Sequence, residues 1–301
     1  MIILGAGLSG LIAAAINPNA VVYEAGTQEA QSHRAVLRFR SSAVGDAVGI
    51  PFRKVRVYKG IWHEGLFQQP NIQMSNLYSY KVTGGYYDRS IWKIDAVDRY
   101  IAPEDFILQL IDQVGYRVHW SNPATELPVE RPVISTIPMS KMAEFADIEI
   151  PKSTKFGFSP INVQRFRVKK ADVFQTIYFP SPATAVYRAS ITGNLLIVES
   201  IDDKIYPPID LDEVLFAFGL TYDDVSVIDA MHKQSYGKIA PIEETLRRHV
   251  VEQLSHRHQV YSLGRFATWR NLLLDDVLED LKVIKRLINA DTYTKRLESI
   301  K

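Results

Sequence analysis

Three glycines, Gly5, Gly7 and Gly10, limit what this chain can fold into more than any other feature of it. They lie in Met1-Ile2-Ile3-Leu4-Gly5-Ala6-Gly7-Leu8-Ser9-Gly10, where a short apolar run enters a Gly-rich turn and the Ala-rich stretch from Leu11 to Ile16 reads as a helix. Ala20-Val21-Val22-Tyr23-Glu24 supplies a second strand that ends in an acid, 19 positions after Gly5. The dinucleotide-binding strand-turn-helix-strand unit expects ~20. Each residue has a mechanical role. Gly5 makes the tight turn, Gly7 lets the backbone approach a pyrophosphate, and Gly10 lets the helix pack on the strand. Ser9 lies within the turn, and the helix N-terminus offers free N–H groups to phosphates. Glu24 would accept hydrogen bonds from ribose hydroxyls. This unit does not separate NAD from FAD, because both present an adenosine diphosphate to the same turn.

Composition narrows the classes. At 301 residues the chain is long enough for a large core. No stretch approaches the ~18 apolar residues of a membrane helix. Lys plus Arg number 35 against 34 Asp plus Glu, so no global field draws the protein to nucleic acid or an anionic membrane. The absence of cysteine excludes disulfides, thiolate metal sites and a flavin tethered through sulfur. It fits a reducing compartment, and with a strand starting at Ile2 there is no room for a targeting peptide, so a cytoplasmic location is expected.

The middle of the chain changes character. A helix is signalled from Pro103 to Val114 with Gly115 as its stop, and Arg117 to Trp120 reads as a strand. Strand-like alternation follows in Asn162 to Val168, Val173 to Phe179 and Leu195 to Glu199, broken by Pro160, Pro180, Pro182 and Gly193. Helical patterns return at Leu211 to Phe218 and Ile242 to Leu254. The expected fold class is α/β, α+β overall: a Rossmann-like cofactor domain from 1–60, 96–150 and 232–301, with an inserted antiparallel-sheet substrate domain from 61–95 and 151–231.

Near the C-terminus, Val260-Tyr261-Ser262-Leu263-Gly264-Arg265-Phe266-Ala267-Thr268-Trp269-Arg270-Asn271 precedes a long amphipathic helix with Val277, Leu281, Ile284 and Ile288 at helical spacing. With Gly5, Gly7, Gly10 and Glu24, this resembles FAD enzymes of the amine-oxidase and UDP-galactopyranose-mutase type. Val133-Ile134-Ser135-Thr136-Ile137-Pro138 resembles the strand-turn element that follows the substrate-domain excursion in those enzymes. The resemblance implies FAD as cofactor, with Gly264, Arg265, Trp269 and Asn271 helping to hold it. The family's Gly-Gly pair after the ribose-binding acid is absent, and His33 or Arg34 would replace its contact. His33 to Arg40 and Ile50 to Trp62 further resemble short bacteriophage flavoproteins linked to amino-acid-modified thymine in DNA; that likeness implies the host cytoplasm.

Charge and aromatic clusters give the remaining candidates. Residues 31–60 hold Arg34, Arg38, Arg40, Arg53, Lys54, Arg56 and Lys59 against Asp46 alone, and Arg165, Arg167, Lys169 and Lys170 form a second cluster. Such faces could meet phosphates of a cofactor, nucleotide or DNA, or be ordinary solvated surface. Flavin chemistry needs a placed substrate, a cation and a dry pocket. Arg40, Tyr187, Arg188 and Lys238 are assigned to that role, with Tyr236 and Trp62 as pocket liners. Arg188 would clamp a carboxylate or phosphate bidentately. No metal set emerges, and His249, His256 and His258 lack acidic partners at ligand spacing. The function expected is FAD-dependent oxidation of a carbon-nitrogen bond in an amine or amino-acid-like group, on a small molecule, nucleotide or modified DNA. The alternatives are a mutase-like non-redox flavoenzyme acting on a sugar nucleotide, a non-catalytic flavin- or nucleic-acid-binding protein, and an NAD-linked enzyme.

Overall fold

The structure, a computed structural model, describes residues 1–29, 37–86, 88, 90–201 and 211–298, with backbone only at 159, 235–238 and 291–298. The chain begins β1 (Ile2–Leu4), α1 (Leu8–Ile16), β2 (Val21–Tyr23), β3 (Arg38–Phe39), α2 (Ala43–Val48), β4 (Arg53–His63), β5 (Leu66–Gln68) and α3 (Ile72–Thr83). It continues β6 (Val97–Ile101), α4 (Phe106–Val114), β7 (Val118–His119), β8 (Val133–Ser135), α5 (Met139–Phe145), β9 (Phe158–Val168), β10 (Val173–Tyr178), β11 (Val186–Gly193) and β12 (Leu195–Ile201). It ends α6 (Leu211–Phe218), β13 (Val225–Ile239), α7 (Glu244–His258), β14 (Val260–Ser262), α8 (Arg265–Thr268) and α9 (Leu274–Glu298).

Among the described residues, β14, β8, β1, β2 and β7 form a parallel sheet in that order. Its strands are apolar except at their ends, His119, Ser135 and Ser262, because both faces are covered. Ile3 packs with Leu11, Ile12, Leu110, Val277 and Leu281 on one face. Ile2 and Leu4 pack with Met139, Met142, Val250 and Leu254 on the other. Alternation of adjacent side chains produces this split, and the helical stripes at 277–288 and 242–254 are the surfaces that cover it.

The second sheet runs β13, β9, β12, β11, β10, β4, β6, β3, with β5 on β4. It is antiparallel except for the β10 to β4 pairing. One face packs on α6 through Phe166, Val168, Ile191, Val198 and Leu215. The other packs on α3 through Ile61, Met74, Tyr78, Tyr178 and Ile197. β3, β6 and the start of β4 come from segments that the sequence grouped with the cofactor domain; in the structure they pair within this large curled sheet. No helix among the described residues is long and apolar enough to cross a membrane.

Arg117 ties the first helix to the parallel sheet. Its Nη1 donates to the carbonyls of Ala14 and Asn17, both at 3.0 Å, and of Ala20, at 3.3 Å. These carbonyls lie in the last turn of α1 and in the loop that leads from it to β2. Arg117→Ala is expected to lower unfolding stability by about 2–3 kcal/mol, the scale for losing hydrogen bonds to a charged donor. Urea titration of both proteins, followed by circular dichroism, checks this.

Candidate active site

The two ends of the chain build one junction. Gly5 has φ +93°, the left-handed region, and its N–H donates to the Tyr23 carbonyl at 2.8 Å. A Cβ on Gly10 would overlap the Gly5 carbonyl oxygen, so only glycine lets α1 start against β1. Thr136, just past β8, donates its hydroxyl to the Leu4 carbonyl at 2.9 Å. Gly264, with φ +85°, closes the junction from the other end: a Cβ there would lie 2.6 Å from Ser9 Oγ. The Gly-rich turn, the 133–138 element and the Gly264-Arg265 turn therefore meet, as the three islands of resemblance imply.

This junction fits an adenosine diphosphate. No side chain caps α1, which leaves its first-turn N–H groups for a ligand. Nothing lies within 4 Å of a Cβ built on Gly7, so the backbone there faces open space. Glu24 accepts from the Ala6 N–H at 2.6 Å and from the Gly26 N–H at 2.7 Å. A carboxylate has about four acceptor positions, so two remain for ribose hydroxyls.

Across from the junction, a β-bulge falls between Val186 and Arg188 in the β11 to β12 pairing. A bulge inserts one residue and re-aims side chains. Here Tyr187 and Arg188, which ordinary alternation would send to opposite faces, both reach Glu199. The Tyr187 hydroxyl donates to Oε1 at 3.1 Å, and Arg188 forks onto both carboxylate oxygens, with Nη2 at 2.6 Å. Glu199 is 2% exposed, so the carboxylate of this bidentate pair is well desolvated, while Arg188 is half-buried. Burial opposes the Arg188 charge, but Glu199 outweighs it and holds the guanidinium well above its ordinary value. Burial, with the Glu199 charge adding to it, pushes the Tyr187 phenol well up; burial does the same to Tyr78 and raises Tyr178. All three remain protonated, a dry aromatic wall whose Tyr78 and Tyr178 rings meet edge to face at 5.4 Å.

Two further arginines converge here. Arg38 donates to the hydroxyls of Thr176 and Thr192 and to the Ile191 carbonyl, all neutral oxygens, while its Nε is buried with no partner. Burial, with the Arg188 charge adding to it, brings Arg38 down to about 10. Arg265, from the C-terminal turn, is held below its ordinary value by burial, with Tyr187 opposing and Arg188 adding. On the same sheet face, a cleft of about 320 Å³ is lined by Leu37, Ile101, Arg165, Phe174, Thr192 and Ile197.

The structure thus brings together Gly5, Gly7, Ser9, Gly10, Glu24, Gly264 and Arg265 at the junction, with Tyr187 and Arg188 facing it. Other assignments land elsewhere. Arg40 is exposed and ion-pairs with Asp275 and Asp276 at the start of α9; the neighbouring arginine that reaches into the sheet is the half-buried Arg38. Trp269 is 5% exposed, packs edge-on against Phe156 and donates its indole N–H to the Ala240 carbonyl at 2.9 Å. Asn271 is exposed. Trp62 lies on the opposite sheet face between Phe67 and Phe216. His33 and Arg34 fall outside the described residues, as do the side chains of Tyr236 and Lys238, both on β13. The basic clusters largely meet acids: Arg53 with Asp172, Lys54 and Arg56 with Asp98, Arg165 with Asp229, Arg167 with Glu104. Among the described residues no three His, Asp or Glu side chains gather as a metal site. Glu199 escaped the sequence reading, which had Arg38 only as one member of the basic cluster at 31–60; the signal that could have found Glu199 is an acid ending the apolar run Leu195-Leu196-Ile197-Val198.

The open space at Gly7 and the crowding at Gly10 separate binding from folding. Gly7→Val is expected to leave the melting temperature nearly unchanged while abolishing retention of an adenine dinucleotide. Gly10→Ala should destabilise the protein outright by about 1–3 kcal/mol or more, the cost of overpacking. Thermal melts with analysis of the co-purified cofactor check both.

No protein-family profile and no curated protein matches the chain. Solved structures do. A reduced UDP-galactopyranose mutase superposes with a TM-score of 0.68 at 15% identity, covering 96% of this chain and 95% of that one. A putrescine oxidase with redesigned cofactor binding gives 0.54 at 10% identity, covering 96% and 98%. The p-nitrophenol 4-monooxygenase of Pseudomonas putida DLL-E4 gives 0.52 at 13% identity, covering 97% and 80%. The chain has the fold of the FAD-binding oxidoreductases.

Proposed function

We propose that the chain is a FAD-dependent oxidoreductase that oxidises a carbon-nitrogen bond of an amine or amino-acid-like group. The observation that carries this reading is the convergence of Tyr187, Arg188 and Glu199 with Arg265 of the cofactor junction. The Gly-rich turn, Glu24 and the Gly264-Arg265 turn would hold FAD, which when bound supplies the acceptor for a hydride. The substrate carbon gives up that hydride and its nitrogen a proton, leaving an imine that water hydrolyses. Arg38 and Arg188 would orient the substrate through a carboxylate or phosphate. Arg38 suits this role because its described hydrogen bonds go to neutral oxygens. The protonated tyrosine wall would exclude water from the imine until it leaves. A nucleotide or DNA carrying an amino-acid-modified thymine is a substrate form compatible with this pairing of amine and anion.

A second reading, a mutase-like flavoenzyme rearranging a sugar nucleotide without net redox change, is favoured by the 0.68 TM-score over nearly the whole of both chains. The two differ in what turnover requires. Oxidation is expected to give a yellow protein whose visible band is bleached anaerobically by an amine. A mutase would turn over only after prior reduction with dithionite, and a colourless protein that takes up no FAD overturns both readings. Benzoate, a planar carboxylate, should perturb the visible band, and Arg38→Met should weaken that binding by roughly tenfold or more, the scale of one lost charge-assisted contact. Spectrophotometric titration checks this.

A further inference from the structure

Lys81 is the most deeply buried lysine among the described residues, 5% exposed in the last turn of α3. Its ammonium donates to the carbonyls of Phe179 at 2.9 Å, Ser181 at 2.7 Å and Val186 at 2.6 Å. An ammonium has three hydrogens, and three carbonyls converge on it. Those carbonyls straddle the loop between β10 and β11, which carries Pro180 and Pro182 and so lacks two backbone donors of its own. One of them, Val186, is the residue at which the bulge begins. The loop is otherwise closed by the Phe179 N–H on the Tyr187 carbonyl at 3.0 Å.

We infer that Lys81 is a positioning residue: by pinning both sides of the β10 to β11 loop, it fixes the bulge that turns Tyr187 and Arg188 together toward Glu199. It touches neither substrate nor cofactor and acts through the backbone. This role rests on the proposed site for its consequence but not for its geometry.

Burial brings the Lys81 ammonium down to about 7, while Glu213, the charged group acting on it from α6, favours the charged form. The sign for loop opening follows from linkage. An opening that frees Lys81 returns it toward its ordinary value of roughly 10.4. The open state then binds more protons than the closed state between those limits, so opening becomes less favourable as pH rises through that window.

Hydrogen exchange of the wild-type protein, corrected for the intrinsic rate, reads this without any ligand. Protection of amides at 179, 186 and 188 is expected to rise by up to about tenfold per pH unit above about 7, the limit for one proton. Other β-strand amides should lack the slope. A flat profile at those amides overturns the inference, and it remains decisive if Lys81→Met fails to fold. Where Lys81→Met folds, it should lose the slope and bind benzoate roughly tenfold more weakly or worse, at unchanged affinity for FAD. Unchanged benzoate binding also overturns the inference. A wild-type protein that takes up no FAD would sink the flavoenzyme reading alone, since the exchange profile would still decide the place of Lys81.

Discussion

Everything in the site depends on backbone packed more closely than any Cβ would allow. At Gly10 the Gly5 carbonyl lies where a Cβ would have to be, at Gly5 the Thr136 hydroxyl does, and at Gly264 the Ser9 side chain does. These approaches set where α1 begins relative to β1 and where the final turn lies relative to both. From that placement follow the free N–H groups of the helix start, the reach of Glu24 and the position of Arg265 against Tyr187 and Arg188. Hydrophobic burial on both faces of the parallel sheet holds the arrangement rigid, but the glycines determine its geometry.

The facing sheet contributes electrostatics. A fully desolvated carboxylate would be costly if unpaired, and Glu199 is tolerated because Arg188 forks onto it and Tyr187 donates to it. Arg38 and Arg265 then add positive charge, and the described hydrogen bonds of Arg38 go to neutral oxygens. A site of this kind discriminates by charge before shape: anionic groups gain contacts there, and cations meet like charge.

The sequence was most legible where period and punctuation agree. The strand-turn-helix start, α6, α7 and α9 follow from apolar spacing, and β9, β10 and β12 follow from alternation between breakers. β4 and β11 were less visible. In β4 the lysines and arginines of 53–59 read as a charge cluster, although alternate residues Val55 and Val57 face inward. In β11 the bulge breaks the period at Tyr187, the position from which the hydroxyl reaches Glu199. Arg38 and Arg40 show the limit in the site itself. They are alike in type and two apart, yet one is half-buried against the curled sheet and the other is held at the surface by Asp275 and Asp276. Only long-range pairing distinguishes them. Lys81 is a sharper case, since nothing local marks a lysine whose three partners lie some hundred residues away.

The junction of Gly5 to Gly10 with Gly264 and Arg265 also orders events during synthesis. The first strand, turn and helix emerge early, at the typical pace of roughly 5–20 residues per second, but their partner turn at Gly264 lies 248 positions beyond the end of that helix at Ile16. A nascent chain can bury the Gly-rich helix against early neighbours without offering a complete cradle. The cradle is therefore complete only once Gly264 and Arg265 have emerged, which makes a loaded molecule a marker that both turns are in place rather than a scaffold on which the first of them folds.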